Sequence, residues 1–415
     1  MNLPYYIIIS IIAAVACLGA TDVQAANTDD DTVATMEHTQ KRGQDEGKSN
    51  DGETLALDIS LNTFFHDNEF QEQIVKGYTL PGTRLRPRLT YKPLDNVTLE
   101  AGAEALIYDG ANKYPNYAYH DIADWRGSQY QEGFHVLPWI RMEGKIGPLT
   151  VTIGDLHRKH DLATPMYNTE TLLSADSEKG SQLRLATSRY DADVWIDWQS
   201  FIFDMDDHQE AFTVGMSHRL YLTPKTSPLT LSVPLQMLVQ HRGGEIDLTD
   251  KGVQTYTNMA AGLSAEWQTA SPVVSAIKAE ALMLYATDAG EKQAWPFKNG
   301  TAWWMAGQAE MWRCLSVEAG LFTSHRFASL YGCPMFGTLS MTDDGRFDKM
   351  TTATLSAQFT HRFSRDYRFI AYARTYHNFC GRLIAKDATQ LSASGLSNSF
   401  SFGLMLQADM NFKLR

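Results

Sequence analysis

The chain has little of what several common protein classes need. It contains four cysteines among 415 residues, and its 36 basic residues are outnumbered by 48 acidic ones with no Lys- or Arg-rich stripe. A disulfide scaffold needs more cysteines in pairs, and a nucleic-acid-binding surface needs clustered positive charge. A helix-length apolar run occurs once, at 5–20. These absences exclude a disulfide-rich domain, a nucleic-acid-binding protein and a polytopic helical membrane protein.

The N-terminal region indicates export. The apolar run 5–20 leads to the small-residue site Val23-Gln24-Ala25, so residues 1–25 are predicted to form a signal peptide. Cys17 offers a rival lipoprotein-type processing site. Residues 26–53 are acidic and poor in large apolar side chains, which predicts a disordered acidic leader in the periplasm.

Catalytic signatures are also missing. The sequence has no Gly-x-Ser-x-Gly, no nucleotide-type glycine loop and no His-x-Ser, the pair that outer-membrane phospholipases carry on a strand. Ser275 and Lys278 match Ser-x-x-Lys, but residues three apart on a strand point to opposite faces. We therefore expect that the protein is not an enzyme.

Cleavage before Ala26 would leave three cysteines, and a disulfide bond between Cys333 and Cys380 is one possible pairing.

The sequence does contain stretches in which apolar and polar residues alternate. In the last stretch, 400–414, every even-numbered residue is apolar, while most odd-numbered residues are polar or small. A long terminal strand with one apolar face is typical of an outer-membrane barrel, which closes on its first strand and faces lipid. The region 54–415 is therefore predicted to be one barrel domain.

Similar stretches recur along this domain, and we predict about sixteen strands. Tight turns alternate with long loops, which places the turns on the periplasmic side and the loops outside. A soluble all-β repeat or propeller is the alternative to the barrel. Aromatic residues near strand ends are predicted to form two girdles, and aromatics of an ordinary β core are the alternative there. The predicted girdle residues are Trp303, Trp304, Tyr285 and Phe322 toward the long loops and Trp267, Phe363 and Phe412 toward the tight turns. The fold class is an all-β, closed antiparallel transmembrane β-barrel, with strands predicted at 54–64, 82–92, 95–108, 135–146, 148–158, 180–189, 191–203, 209–221, 228–241, 253–268, 271–286, 301–312, 315–325, 349–362, 367–378 and 398–414.

Charged residues on the faces opposite the apolar ones are predicted to line the lumen, because a charge facing lipid near the midplane costs about 2–4 kcal/mol. Two opposed walls would create a transverse field that orders polar solutes. The alternative is that the charges pair across a plugged lumen and only hold the barrel's shape. The predicted basic wall is Arg84, Arg86, Arg88, Arg368 and Arg374, and the predicted acidic wall is Glu266, Glu280, Glu310 and Glu318.

One extracellular segment is dense in acid. Asp204, Asp206, Asp207 and Glu210 lie within seven residues, and hard oxygen ligands of this kind suit Ca²⁺ or Mg²⁺. A solvated acidic loop is the alternative, and no other cofactor is expected. The pair His157 and His160 has a metal-like spacing, but a solvated loop is the simpler interpretation.

The closing strand, the Arg84-x-Arg86-x-Arg88 ladder and the alternating connections together resemble the porin-like outer-membrane β-barrels of Gram-negative bacteria. The segments 194–201 and 209–213 also resemble a group of uncharacterised porin-like barrels. This resemblance implies an outer-membrane location, contact with outer-membrane lipid and assembly by the barrel-assembly machinery. The oligomeric state and the solute stay open. A departure is the C-terminus, where Lys413-Leu414-Arg415 follows the aromatic Phe412.

Three functions are open on this basis. The first is passive diffusion of small polar solutes through a charged lumen. The second is binding of a glycan or partner protein by the long loops of a plugged barrel. The third is a lipid-modifying outer-membrane enzyme, which the missing His-x-Ser disfavours.

Overall fold

The structure is a computed structural model, and the predicted signal peptide and acidic leader lie outside the residues it describes. All described residues belong to the unit 43–415. The described ranges are 54–70, 74–108, 113–115, 130–132, 134–203, 206, 208–244, 250, 252–291, 296–329, 331–340, 345–385, 390–391 and 395–414.

Sixteen antiparallel strands form a closed barrel, so the predicted fold class is confirmed. The order around the barrel follows the chain, and each strand pairs with the next as hairpins require. The barrel strands are β1 (Thr54–Glu69), β2 (Tyr78–Leu94), β3 (Val97–Tyr108), β6 (Phe134–Ile146), β7 (Leu149–Asp155), β8 (Lys179–Ala186), β9 (Tyr190–Ser200), β10 (Ala211–Tyr221), β11 (Leu229–Arg242), β12 (Gln254–Gln268), β13 (Val274–Asp288), β14 (Asn299–Met311), β15 (Leu315–His325), β18 (Met350–Arg362), β19 (Tyr367–Cys380) and β22 (Gly395–Lys413).

Short elements lie in the long connections at one end of the barrel. They comprise the helix α1 (Thr171–Ser174) and the strands β4 (Lys113–Pro115), β5 (Tyr130–Glu132), β16 (Leu339–Ser340), β17 (Gly345–Phe347), β20 (Leu383–Ala385) and β21 (Gln390–Leu391). The order β16-β17-β20-β21 forms a small sheet that joins the last two long connections. Among the described residues no helix is both long enough and apolar enough to cross a membrane.

The closure seam joins the first strand to the last. β1 pairs with β22 from Ala56↔Lys413 to Glu69↔Phe400. Because this pairing continues past residue 64, β1 is longer than predicted, β2 begins at Tyr78, and the predicted loop 65–81 shrinks to 70–77.

The two faces of each strand differ as the sequence pattern predicts. On β22, Leu404 and Leu406 are exposed on the outer wall, whereas Met405 between them is buried toward the lumen. An outer wall with exposed apolar side chains requires lipid around it, since water would penalise such a surface. The protein is therefore a membrane barrel.

The predicted aromatic girdles are only partly correct. Trp303 and Trp267 are 52% and 51% exposed on the outer wall, as girdle residues should be. Trp304 and Phe322, predicted to lie with Trp303 in the girdle at the long-loop end, face inward and are 1% and 0% exposed. They pack on Phe336 in T-shaped contacts, because a loop has folded into the lumen and supplies a core there.

Candidate functional site

The predicted lumen charges face inward, but they pair along the wall. The Arg86 guanidinium donates to Glu104, with Nε at 2.7 Å from Oε2, and Arg88 lies 3.8 Å from Glu100. Arg374 lies 3.4 Å from Glu318, a member of the predicted acidic wall. Basic and acidic groups are thus neighbours. The structure does not have the basic wall and the acidic wall that the sequence predicted to face each other across water.

The remaining members of the two walls are also engaged. Arg368 Nη2 lies 3.4 Å from Asp409, and Glu280 lies 3.8 Å from Lys278 Nζ. Side-chain amides donate to the last two glutamates, from Gln268 to Glu266 at 2.7 Å and from Gln308 to Glu310 at 2.6 Å.

The connection 156–178 folds into the lumen and is held there by the barrel wall. Arg84 on β2 donates to the carbonyl oxygens of Leu173 and Ala175, the latter at 2.5 Å. Arg158, within the connection, donates to the carbonyls of Thr171 and Ala175. Buried guanidinium groups that satisfy main-chain carbonyls let an irregular segment stay away from water. We call the connection 156–178 the first plug loop.

A carboxylate anchors the first plug loop to the closure seam. Glu170 accepts from the Asn68 amide at 2.9 Å and from the Tyr78 hydroxyl, and its Oε2 lies 3.2 Å from Nε2 of His66. Tyr372 holds the other ring nitrogen of His66 at 2.8 Å. Burial favours the neutral acid, but the His66 imidazole and the donors keep the pKa of Glu170 below its usual value.

His160 is the second anchor of the first plug loop. Its Nε2 lies 2.7 Å from Glu178 and its Nδ1 lies 3.0 Å from Asp193 on β9. The ring stacks on Trp195 with centroids 3.5 Å apart. Burial alone would lower the pKa of His160, but Glu178 and Asp193 raise it to about 9. The expected solvated loop at His157 and His160 is therefore wrong at His160, whose side chain is fully buried.

The connection 326–349, here the second plug loop, also enters the lumen in its described parts. Tyr256 and Asn258 on β12 donate to the Ala328 carbonyl at 3.0 and 2.8 Å. Asn378 on β19 and Thr352 on β18 donate to the Met335 carbonyl.

The two plug loops also touch each other. The Asn168 amide donates to the Tyr331 carbonyl at 2.6 Å, and Ser329 donates to the Met166 carbonyl at 3.0 Å. Inward side chains from strands around the circumference thus hold two loops that meet inside the barrel, so the described structure supports the plugged alternative.

The described cysteines are free. Cys333 and Cys380 do not form the bond that the sequence left open, and Cys314 is also free. The Cys333 thiol instead lies 3.8 Å from the Tyr376 hydroxyl. Burial raises the pKa of Cys333 to about 11, which makes it a poor nucleophile.

The predicted cation loop is described only in part. Asp204 and Asp207 lie outside the described residues. Asp206 accepts from the Phe203 amide at 2.7 Å, as in a turn. In the described parts of the chain, no three His, Cys, Asp or Glu side chains converge as metal ligands would. A loop cation at these acids with Glu210 remains an untested prediction.

Sequence reasoning missed two carboxylates on the outer wall near the loop end of the barrel. Asp155 is buried and lies 3.7 Å from Lys179, a cation that neutralises it. Asp67 is also buried, on the face of β1 opposite His66, between Thr79 of β2 and Phe402 of β22. Its Oδ1 accepts from the Thr79 hydroxyl at 2.5 Å.

Asp67 has no ion-pair partner within the described ranges. Burying a carboxylate without a cation lowers the stability of the fold, so a residue of this kind is a candidate for a functional role. One signal could have found it: Asp67 continues the apolar face formed by Leu57, Ile59, Leu61 and Phe65. The loop predicted at 65–81 hid that continuation.

Comparison with solved structures finds distant outer-membrane proteins. OmpT of Vibrio cholerae is 12% identical, with 87% of this chain and 100% of that chain covered and a TM-score of 0.45. OpdK of Pseudomonas aeruginosa is 9% identical, with 86% and 99% covered and a TM-score of 0.46. OccAB4 of Acinetobacter baumannii is 9% identical, with 86% and 98% covered and a TM-score of 0.45. Scores this low support no conclusion about function.

No curated protein matches the chain. A family model described as "Lipid A 3'-O-deacylase-type" matches residues 47–415. That description names an enzymatic activity, so the expectation that the protein is not an enzyme is wrong. Because the match covers the barrel from its first strand to its last, the chain belongs to the lipid A 3'-O-deacylase-type family.

Proposed function

We propose that the protein hydrolyses an acyl ester of lipid A in the outer leaflet of the outer membrane. The observation that carries the proposal is the family match over 47–415. Passive diffusion, the first function considered from the sequence, is not favoured, because two plug loops occupy the described lumen.

Because the lumen is plugged, the outer wall is the surface on which a lipid substrate can bind. A lipid substrate cannot enter a filled barrel, but its ester reaches the outer wall near the loop end, where headgroups meet hydrocarbon. The Asp67–Thr79 pair lies on this wall at the closure seam, and Thr79 is exposed while Asp67 is buried beneath it. Phe65 and Phe402 flank the pair, with ring centroids 6.0 Å apart. They offer apolar surface beside a polar group, as an acyl ester needs.

The chemistry of such a pair is general base catalysis. In the proposed step Asp67 takes a proton from water as the water oxygen bonds to the ester carbonyl carbon. The bond from that carbon to the sugar oxygen then breaks, and the proton passes from Asp67 to this leaving oxygen. The products are a free fatty acid and a sugar hydroxyl. Thr79, which donates to Asp67, orients the carboxylate.

The test uses purified barrel and hexa-acylated lipid A in detergent, with products read by mass spectrometry. Wild type should release one fatty acid per lipid A. Asp67→Asn keeps the shape but removes the base, and should lower kcat about 10²- to 10⁴-fold. Thr83→Ala is the matched control, because Thr83 and Thr63 form another outer-wall hydroxyl pair on the same two strands.

The possible outcomes distinguish a wrong proposed activity from a wrong proposed catalytic residue. No fatty-acid release by a folded wild-type barrel would refute the proposed function. Release that Asp67→Asn does not slow would keep the function and refute this site.

A further inference from the structure

The carboxylate of Glu170 lies on the lumen side of β1, directly behind Asp67. Neighbouring residues on a strand point to opposite faces, so the outward Asp67 lies between two inward side chains, those of His66 and Asn68. The Oε2 atom of Glu170 accepts a hydrogen bond from the Asn68 amide at 2.9 Å and lies 3.2 Å from Nε2 of His66. One carboxylate oxygen therefore holds both sequence neighbours of the proposed base.

The other oxygen of Glu170 holds the second strand. Its Oε1 accepts from the Tyr78 hydroxyl, and Tyr78 precedes Thr79 on β2. Asp67 pairs with Thr79 in the backbone register, and the next pair along the ladder carries side chains that Glu170 binds. The Glu170 carboxylate thus bridges β1 and β2 on the lumen face, as the hydrogen bond between Asp67 and Thr79 does on the outer face.

The loop end of β2 has an incomplete backbone ladder. Within the described residues, β2 pairs with β1 from Tyr78 onward, but its pairing with β3 begins only at Gly82. Thr79 is therefore held by a neighbouring strand on one side, and strand ends held in this way open easily. The bond from the Tyr78 hydroxyl to Glu170 fixes the backbone one residue before Thr79.

The backbone around Glu170 is itself held in place. The Glu170 amide donates to the Asn168 side chain at 3.2 Å, and the Asn168 amide donates to the Tyr331 carbonyl of the second plug loop at 2.6 Å. Three residues after Glu170, Leu173 is buried in one hydrophobic cluster with the inward Leu80 of β2. Contacts on both sides of Glu170 therefore keep its carboxylate at one place on the wall.

We propose that Glu170 is a positioning residue for the hydrolysis, which holds Asp67 and Thr79 in the geometry that general base catalysis needs. The inference rests on the proposed function, because it names how that site is kept in shape. Glu170 itself does not meet the substrate, since it is buried in the lumen and the proposed ester lies on the outer wall. A displacement of about 1 Å can lower the rate of a catalysed reaction about 100-fold, so loss of the bridge should appear in kcat.

The test compares Glu170→Gln with wild type in the fatty-acid release assay. The amide keeps the size of the side chain but has a single oxygen, so it cannot accept on both strands. The kcat should fall about 10- to 100-fold with KM unchanged, because no contact with the substrate is lost. Glu310→Gln is the matched control and should keep the kcat of wild type. Glu310 is another buried inward glutamate that accepts from a side-chain amide, but it lies on β14.

A double variant distinguishes positioning from a general loss of structure. If Glu170 acts through Asp67, the double variant Asp67→Asn/Glu170→Gln should match Asp67→Asn within about twofold. Tyr78→Phe deletes only the hydroxyl that donates to Glu170, and should lower kcat about threefold or more even if Glu170→Gln misfolds. Amides of 66–69 and 77–80 should exchange hydrogen faster in both single variants and at the wild-type rate in Glu310→Gln.

Three results would overturn the inference. The first is a wild-type kcat in Glu170→Gln, even with faster exchange at 66–69, since the bridge would then serve only the fold. The second is a KM that rises while kcat holds. The third is an equal further loss of kcat when Glu170→Gln is added to Asp67→Asn. A folded wild-type barrel that releases no fatty acid would instead refute the proposed function.

Discussion

Removing the proton from His160 should loosen the first plug loop. The imidazole is fully buried between Glu178 and Asp193, and these carboxylates favour its charged form. Once neutral, the ring can donate to only one carboxylate, and the other is left buried and facing a lone pair.

The size of the effect follows from the pKa. Against the loss from burial, Glu178 and Asp193 raise the pKa of His160 from 6.5 to about 9, which corresponds to about 3 kcal/mol. Because the closed loop binds the proton more tightly than the open loop, this stabilisation is fully present below pH 6.5. It is lost as the pH rises through about 9. His157 does not titrate in this window, since burial lowers its pKa to about 4.

Amide hydrogen exchange of the first plug loop measures this opening. After correction for intrinsic exchange rates, the free energy of opening for amides in 163–175 should fall by about 3 kcal/mol between pH 6.5 and pH 10. His160→Gln is the matched control, because its amide cannot take up the proton. Its loop should open more easily at pH 6.5 and lose the pH dependence. An unchanged opening free energy in wild type, or the same dependence in His160→Gln, would refute the reasoning.

Three more predictions test the plugged barrel. The intact protein should show no single-channel conductance in planar bilayers, whereas deletion of 163–175 should open steady channels; conductance by the intact barrel would contradict the plug. Denatured, unreduced mature protein should present three reactive thiols, and a count of one would indicate a disulfide that the structure does not contain. Trp304→Ala should lower the free energy of unfolding in urea by about 3–5 kcal/mol because it leaves a cavity. Trp303→Ala on the lipid face is its control, and equal losses would place both rings in lipid.

Much of the fold was predictable because strand formation depends on residues that are close together in the sequence. Side chains alternate with a period of two, so the even-numbered apolar residues of 400–414 identify both the strand and its lipid face. The same rule placed Arg84, Arg86 and Arg88 inward, and the structure agrees. The end of β1 was missed because His66 to Glu69 read as a polar loop until the pairing with β22 extended the strand.

The candidate site was much less predictable. Asp67 is a candidate base because of two neighbours. One is Thr79 on the next strand, and the other is Phe402, which is distant in the sequence but adjacent across the closure seam. Nothing in the local pattern says which outward carboxylate keeps a cation, as Asp155 does with Lys179, and which lacks one. The family match, and not a short motif, corrected the expectation that the chain has no enzymatic activity.

By itself, the sequence determined a closed antiparallel barrel with an apolar exterior and charges turned inward, because alternation and turn chemistry act between near neighbours. Tertiary structure decided what those charges do. Arg84 meets the carbonyl oxygens of Leu173 and Ala175, and His160 meets Asp193, only after the barrel has closed and a loop has entered it. Whether a long loop extends into water or fills the lumen depends on the balance between its ordering entropy and buried contacts with strands from the whole circumference. That balance is a property of the closed barrel, so no local stretch of sequence encodes it.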